Sequence, residues 1–245
     1  MLSQVLTFVL IPAAATLLGG VVAAFRPPGA RLQSVIQHFA AGVVFAAVAG
    51  ELLPELMHEA APLPTILGFA LGVGLMLGVK RLTEGKPTEE GSTAGDAPGA
   101  EDGTRGLVAT VAVDVAIDGL LVGVGFAAGT EAGILLTIAL SLEVLFLALA
   151  TTAALVRAGA TRTRVLGTTA GLVVLLVAGA AVGGLAAGVL TGGLLAAVLA
   201  FGVAALLYLV TEELLVEAHE TQDTPLATAT FFAGFLALLL LEMAL

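Results

Sequence analysis

The chain lacks cysteine and tryptophan, and it contains little positive charge. Only nine of its 245 residues are lysine or arginine, and one is tyrosine. The absence of cysteine excludes disulfides and thiolate metal sites. Charged residues make up 11% of the chain, whereas a soluble domain has about 25%. Hydrophobic residues make up 59% and the mean hydropathy is +1.10, which together indicate a polytopic membrane protein with no nucleic-acid partner.

Eight apolar segments, each about 20 residues or longer, are long enough to cross a bilayer as helices. They are Gln4–Phe25, Ser34–His58, Leu63–Arg81, Arg105–Gly129, Glu131–Arg157, Val165–Leu190, Gly193–His219 and Pro225–Leu245. We therefore predict an all-α polytopic membrane protein with one membrane domain. Transmembrane helices 1–3 occupy residues 1–82, a disordered cytosolic loop rich in Gly, Pro and Glu occupies 83–104, and helices 4–8 occupy 105–245.

The distribution of positive charge predicts how these helices are oriented. All nine basic residues fall in the connections after the first, third and fifth segments. The positive-inside rule places these connections in the cytoplasm and both termini outside. We expect an integral protein of a bacterial or archaeal plasma membrane, with the lipid bilayer as its main partner. The first segment lacks a basic n-region, so we interpret it as a retained helix and not as a signal peptide.

Three acidic residues lie deep inside apolar segments. Asp114 and Asp118 are four residues apart and would point to the same face of the fourth helix, while Glu143 stands alone in the fifth. A carboxylate at membrane depth costs at least about 2.5–3.5 kcal/mol and commonly marks an ion path. No Lys or Arg occurs between Arg105 and Arg157, so a cation or a proton is the simplest neutralising partner.

Each of these acids also has a purely structural interpretation. The two aspartates could hold a helix break beside Gly119, and Glu143 could be protonated and hydrogen-bonded to a neighbouring helix. The three histidines (His38, His58 and His219) sit near segment ends, where none is well placed as a central ligand.

A short repeat links the second and seventh segments. Glu51-Leu-Leu-Pro-Glu55 in the second resembles Glu213-Leu-Leu-Val-Glu217 in the seventh. The two copies would run in opposite directions, as inverted repeats require. Coincidence in a Leu-rich chain is an equally good explanation of so short a match. Glu55 and Glu217 lie near the membrane surface and could simply be solvated.

These motifs resemble those of the ZIP (Zrt/Irt-like) family of divalent metal transporters. Asp114-Val-Ala-Ile-Asp118-Gly119 stands where the family has H-N-x-P-D/E-G, and Glu51-Leu-Leu-Pro-Glu55 stands for H-L-L-P-E. Glu143 aligns with the histidine of the fifth-helix motif. At three aligned positions, a histidine of the family is replaced by a carboxylate in this sequence. The resemblance implies an eight-helix bundle with inverted repeats in a 3+2+3 arrangement, and a metal site built from the fourth and fifth helices.

The resulting hypothesis is a ZIP-like transporter of divalent cations through a carboxylate-lined site, without enzymatic activity. The expected metal ligands are Asp114, Asp118, Glu143 and Glu51, followed by the less certain Glu55, Glu213 and Glu217. The ion would be a substrate and not a resident cofactor, and zinc, manganese and iron are all candidates. Oxygen-only ligation favours manganese, iron(II) or a harder ion over zinc. Cation binding should displace protons, which predicts pH-dependent transport.

Three alternatives remain at this stage. A ZIP-derived membrane protein that no longer transports metal could act as a sensor or structural partner, since the family's other ligand positions hold Val115, Val144 and Leu147. A proton-coupled carrier of an organic solute would need more aromatic or cationic groups than this chain offers. An intramembrane enzyme is least favoured, because no H-E-x-x-H motif or Ser/His pair occurs at depth.

Gly179-x-x-x-Gly183 permits close helix packing within one chain or in a homodimer.

Overall fold

A computed structural model describes residues 2–83, 100–219 and 224–244, apart from the side chains of 82, 83, 100–105 and 217. The described residues form helices and no strand, and eight of these helices are long and apolar enough to cross a membrane. In chain order, α1 to α8 are Leu2–Phe25, Ala30–Glu59, Pro62–Thr83, Ala100–Ala128, Thr130–Arg157, Arg162–Ala186, Gly193–Leu214 and Pro225–Glu242. The predicted class and the eight segments are confirmed, whereas residues 84–99 of the predicted loop lie outside the described residues.

Local sequence signals set the helix ends. Thr161 and Thr224 cap α6 and α8, each accepting a hydrogen bond from a backbone amide three residues later at 3.3 and 3.2 Å. Proline occupies the first turn of α3 and α8, where its missing N–H would have no helical partner. Most ends fall within four residues of the prediction. Two ends differ by five residues, since α4 begins at Ala100 instead of Arg105 and α7 ends at Leu214 instead of His219.

Four helix pairs make the most extensive contacts, namely α4 with α6, α1 with α5, α2 with α8, and α3 with α7. The α4–α6 contact depends on glycine. A Cβ atom added to Gly119 would run into the carbonyl oxygen of Leu176, and one added to Gly179 would run into that of Ala116. Small residues thus bring the two backbones together, as is usual between helices in lipid, where the hydrophobic effect does not drive their association.

Two helices contain a π-helical turn. In α2 this turn is Val48–Leu52, which includes Glu51, and in α7 it is Leu209–Leu214, which includes Glu213. Each is followed by a short α-helical segment, Leu53–Glu59 and Leu215–Ala218 respectively. In contrast, α4 and α5 are uninterrupted α-helices. Because π turns often occur at functional sites, their coincidence with the two repeated Glu-Leu-Leu motifs directs attention to these turns.

The basic side chains that the structure describes lie where odd-numbered helices finish or even-numbered helices begin. We call this the basic end of the bundle. Arg162, at the start of α6, lies over the ring of Phe25 at the end of α1, 5.3 Å from its centroid. Lys80 of α3 forms a salt bridge of 3.3 Å to Glu212 of α7. By the positive-inside rule, the basic end is predicted to face the cytoplasm.

Candidate metal centre

Helix α4 presents Asp114 and Asp118 to the interior of the bundle. They are one helical turn apart, and each is only 1% exposed. Oδ2 of Asp118 is buried without a hydrogen-bond partner, and the carboxyl group of Asp114 lies within hydrogen-bond reach of the side chain of Glu213. Helix α4 continues through both residues to Ala128, so they do not hold a helix break. That structural interpretation therefore loses its support.

Glu143 reaches the same region from the middle of α5. It lies thirteen residues after Thr130 and fourteen before Arg157, which are the ends of this helix. Its side chain is completely buried, and neither carboxyl oxygen has a hydrogen-bond partner. A neighbouring helix therefore supplies no hydrogen bond to it, contrary to the second structural interpretation.

Glu213, in the π turn of α7, completes a group of four acids with Asp114, Asp118 and Glu143. Every one of the six pairs within this group is close enough for the two charges to act on each other. We call these four residues the central cluster. The charged neighbours that act on Glu143 are the other three members, all of the same sign. Three helices thus bring together like charges whose mutual repulsion must be relieved by protons or by a bound cation.

The central cluster is not a closed coordination shell. Among the described side chains, no group of three or more His, Cys, Asp or Glu residues is arranged to hold a metal ion. A small cavity adjoins Asp114 and Asp118, with a volume of about 10 Å³, near the threshold for holding one water molecule. Its remaining walls come from one turn of α4 and from two other helices, and they are Met76, Ile117, Ala205, Leu206 and Leu209.

Glu51 belongs to a second group of acids. Its charge is acted on by Glu242, in the last turn of α8, and by Glu131, in the first turn of α5. The carboxyl group of Glu242 packs directly against Gly50, where an added Cβ atom would meet its Oε2 at 2.6 Å. We call Glu51, Glu131 and Glu242 the outer group. Sequence reasoning missed Glu131 and Glu242, because a charge at a helix end usually marks the water interface.

A crevice of about 100 Å³ opens on the other side of the central cluster, towards the basic end. Its walls continue the helix faces that carry the acids. On α4, Val111 and Leu107 precede Asp114 by three and seven residues. On α5, Leu147 and Thr151 follow Glu143 by four and eight residues. The oxygen Oγ1 of Thr151 is buried there without a partner. Gln33, Ala150, Ala154 and Arg157 complete the lining.

The remaining sequence candidates are Glu55 and Glu217. Glu55 is partly exposed in the last helical segment of α2, and the side chain of Glu217 lies outside the described residues. Near the basic end, the rings of His38 and His219 are 5.1 Å apart. His38 is only 2% exposed and its Nδ1 contacts the carbonyl oxygen of Ser34 at 2.9 Å. The sequence analysis placed these two histidines near segment ends, and the structure brings their rings together as a pair.

No protein family model matches this chain, and no curated protein sequence matches it significantly. The chemical interpretation of the site therefore depends on the geometry of its own residues.

Proposed function

We propose that this protein is a ZIP-like membrane carrier of divalent metal cations and that the central cluster is its binding site. One observation carries the proposal. Four acidic side chains from α4, α5 and α7 lie within electrostatic range of one another inside an apolar bundle, and three oxygens on Asp118 and Glu143 are buried without a hydrogen-bond partner. An unsatisfied buried polar group costs about 1–3 kcal/mol, and more when it is charged. A chain that retained such groups without using them would lose stability for no gain.

The surroundings of the cluster also support transport. A cation needs access to its site from both faces of the membrane. The outer group lies towards one face, where negative charge attracts cations and raises their local concentration. The crevice between α2, α4 and α5 lies between the level of the cluster and the basic end. A buried Thr151 hydroxyl without a protein partner suits a water molecule or a partly hydrated ion in that crevice.

The contact pattern favours an inverted-repeat architecture. An inverted repeat of this kind would pair α1 with α6, α2 with α7, α3 with α8 and α4 with α5. If the paired helices are exchanged, the α4–α6 contact becomes the α5–α1 contact. The same exchange turns the α2–α8 contact into α7–α3. The four largest contacts thus fall into two related pairs, and both copies of the Glu-Leu-Leu motif begin in a π turn. These relations support the ZIP-like 3+2+3 arrangement, in which sites lie near the midplane at the repeat interface.

Uptake by the purified chain in proteoliposomes tests this function. Mn²⁺, Fe²⁺, Zn²⁺, Cd²⁺, Co²⁺ and Mg²⁺ would be offered in turn to vesicles containing the wild type, Asp114→Asn or Glu143→Gln. Each substitution removes a negative oxygen while keeping the side-chain shape. Glu59→Gln, at the end of α2, is the matched control. We expect uptake of at least one ion, its loss in both site variants and its retention in the control. Uptake that survives both site substitutions would refute the assignment.

The alternative function is a ZIP-derived membrane protein that binds metal without transporting it, as a sensor or structural partner. One observation favours it: no described group of three His, Cys, Asp or Glu residues is arranged around a metal. In that case a metal would stabilise the purified protein through Asp114 and Glu143, but no ion would enter the vesicles. The two functions therefore differ in the uptake assay and agree in the binding assay.

A further inference from the structure

The cavity beside the two aspartates has a third notable wall residue, Met76 of α3. This side chain is 2% exposed and lines the same cavity as Asp114 and Asp118. The cavity also reaches Ile117 on α4 and three aliphatic residues on α7, and none of these offers a group that can coordinate a cation. The side-chain groups of these lining residues that can bind a metal are therefore the two carboxylates and the Met76 thioether.

A methionine in a helix bundle commonly serves as a flexible filler of irregular gaps. The position of Met76 differs from that of the other methionines whose side chains the structure describes, since Met57 and Met243 are 72% and 77% exposed. Met76 also does not fill its gap, because a space of about 10 Å³ remains that Met76 lines together with the two aspartates. Its three rotatable bonds allow the sulfur to turn towards an ion in that space.

We propose that Met76 is a metal ligand and a specificity-determining residue of the central site. The inference rests on the proposed function and deepens it by naming the substrate class. A site of carboxylates alone suits hard ions such as Mg²⁺, Ca²⁺ and Mn²⁺, whereas a thioether favours softer ions. One sulfur added to the two aspartates selects borderline and soft divalent cations, with Fe²⁺, Co²⁺ and Cd²⁺ ahead of Mg²⁺ and Mn²⁺.

The proposal also accounts for the absence of a described group of three His, Cys, Asp or Glu residues around a metal. Asp114 and Asp118 on α4 supply oxygens, Met76 on α3 supplies a sulfur ligand, and the nearby charges of Glu143 and Glu213 help to neutralise the ion. The cavity has room for about one water-sized particle, so the ion would bind in direct contact with the two aspartates and Met76.

The direct test is X-ray absorption spectroscopy of the purified full chain with Cd²⁺ as the probe. The chain has no cysteine and four methionines, so a sulfur neighbour of the bound ion must be a methionine. We expect one sulfur in the coordination shell of the wild type and of Met57→Leu, and none in Met76→Leu. A wild-type spectrum with oxygen neighbours only would overturn the inference without requiring any variant to fold.

Competition between ions gives a second readout. Met76→Leu should weaken Cd²⁺ binding by about tenfold, the lower limit of the loss seen when a group that supports a metal ligand is removed. Mn²⁺ binding should change by less than about twofold, because carboxylates remain its preferred ligands. If Met76→Leu leaves the ratio of Cd²⁺ to Mn²⁺ affinity unchanged while Asp114→Asn abolishes binding of both ions, only the role of Met76 is overturned. Binding of both ions that persists in Asp114→Asn would instead refute the proposed site itself.

Discussion

Replacing Glu143 with leucine should stabilise the protein while abolishing transport. Glu143 is completely buried, and both of its carboxyl oxygens lack a hydrogen-bond partner. If each unsatisfied polar atom costs about 1–3 kcal/mol, the two together oppose folding by about 2–6 kcal/mol. The insertion cost of an acidic residue at the centre of a transmembrane helix, about 2.5–3.5 kcal/mol, lies within that range. An apolar side chain of similar size would remove this cost.

The net gain is smaller, because leucine is branched and must repack. Hydrophobic exchanges of similar volume lose up to about 1.5 kcal/mol through imperfect packing. We therefore expect the free energy of unfolding to rise by about 2 kcal/mol in Glu143→Leu. At about 2–4 °C per kcal/mol for a chain of this length, the apparent Tm should increase by about 4–8 °C.

Thermal unfolding in detergent, with a chelator present and a fixed scan rate, measures this shift. Glu143→Gln is the matched control, since glutamine keeps two buried polar atoms without partners and should leave Tm near that of the wild type. Adding a transported ion at about one hundred times its Kd should stabilise the wild type by about 2.7 kcal/mol. The leucine variant should show no such gain. If Glu143→Leu unfolds at a lower temperature than the wild type, Glu143 has a structural role and the reasoning is wrong.

Three further predictions concern the cation site and the bundle. Metal uptake should weaken as the pH falls, because protons and cations compete for the same carboxylates; an apparent affinity independent of pH would contradict shared ligands. Gly119→Val should lower the free energy of unfolding by about 1–3 kcal/mol, because its side chain would collide with the Leu176 carbonyl. Gly74→Val, where nothing lies within 4 Å, is its control, and equal losses in both variants would count against this packing argument. Lys80→Gln should change the free energy of unfolding by less than about 1 kcal/mol, because the side chains of Lys80 and Glu212 in this salt bridge are 38% and 49% exposed. A fall in Tm that corresponds to a larger loss would show that the bridge stabilises the fold.

The helices could be predicted from the sequence because lipid imposes a strong and local constraint. A spanning helix needs about 20 apolar residues in succession, and a window of that length records this requirement directly. The location of Asp114, Asp118 and Glu143 in the bundle interior could be predicted in the same way, since a charged side chain inside such a window rarely faces lipid. Burial of all three, on uninterrupted helices, follows from the same constraint.

The partners of these residues could not be predicted in the same way. Glu213 joins the central cluster from a π turn, and nothing in the local apolar pattern indicates that turn. Glu131 and Glu242 approach Glu51 from helices that are distant in sequence. Met76 looks like any apolar residue of α3 until packing places it beside the aspartates. Each of these relations depends on which helices become neighbours, and hydropathy alone does not encode that choice.

The sign of the charges at depth has an electrical consequence. The interacting charges named for the central cluster are all acidic. A divalent cation that displaces two protons from these carboxylates leaves the total charge of the site unchanged. Moving one elementary charge through a membrane potential of about 100 mV involves about 2.3 kcal/mol, and a site of constant charge avoids this work in either direction. Transport would then be indifferent to voltage and sensitive to the proton gradient, and a current measured upon addition of metal to a supported membrane would exclude this balance.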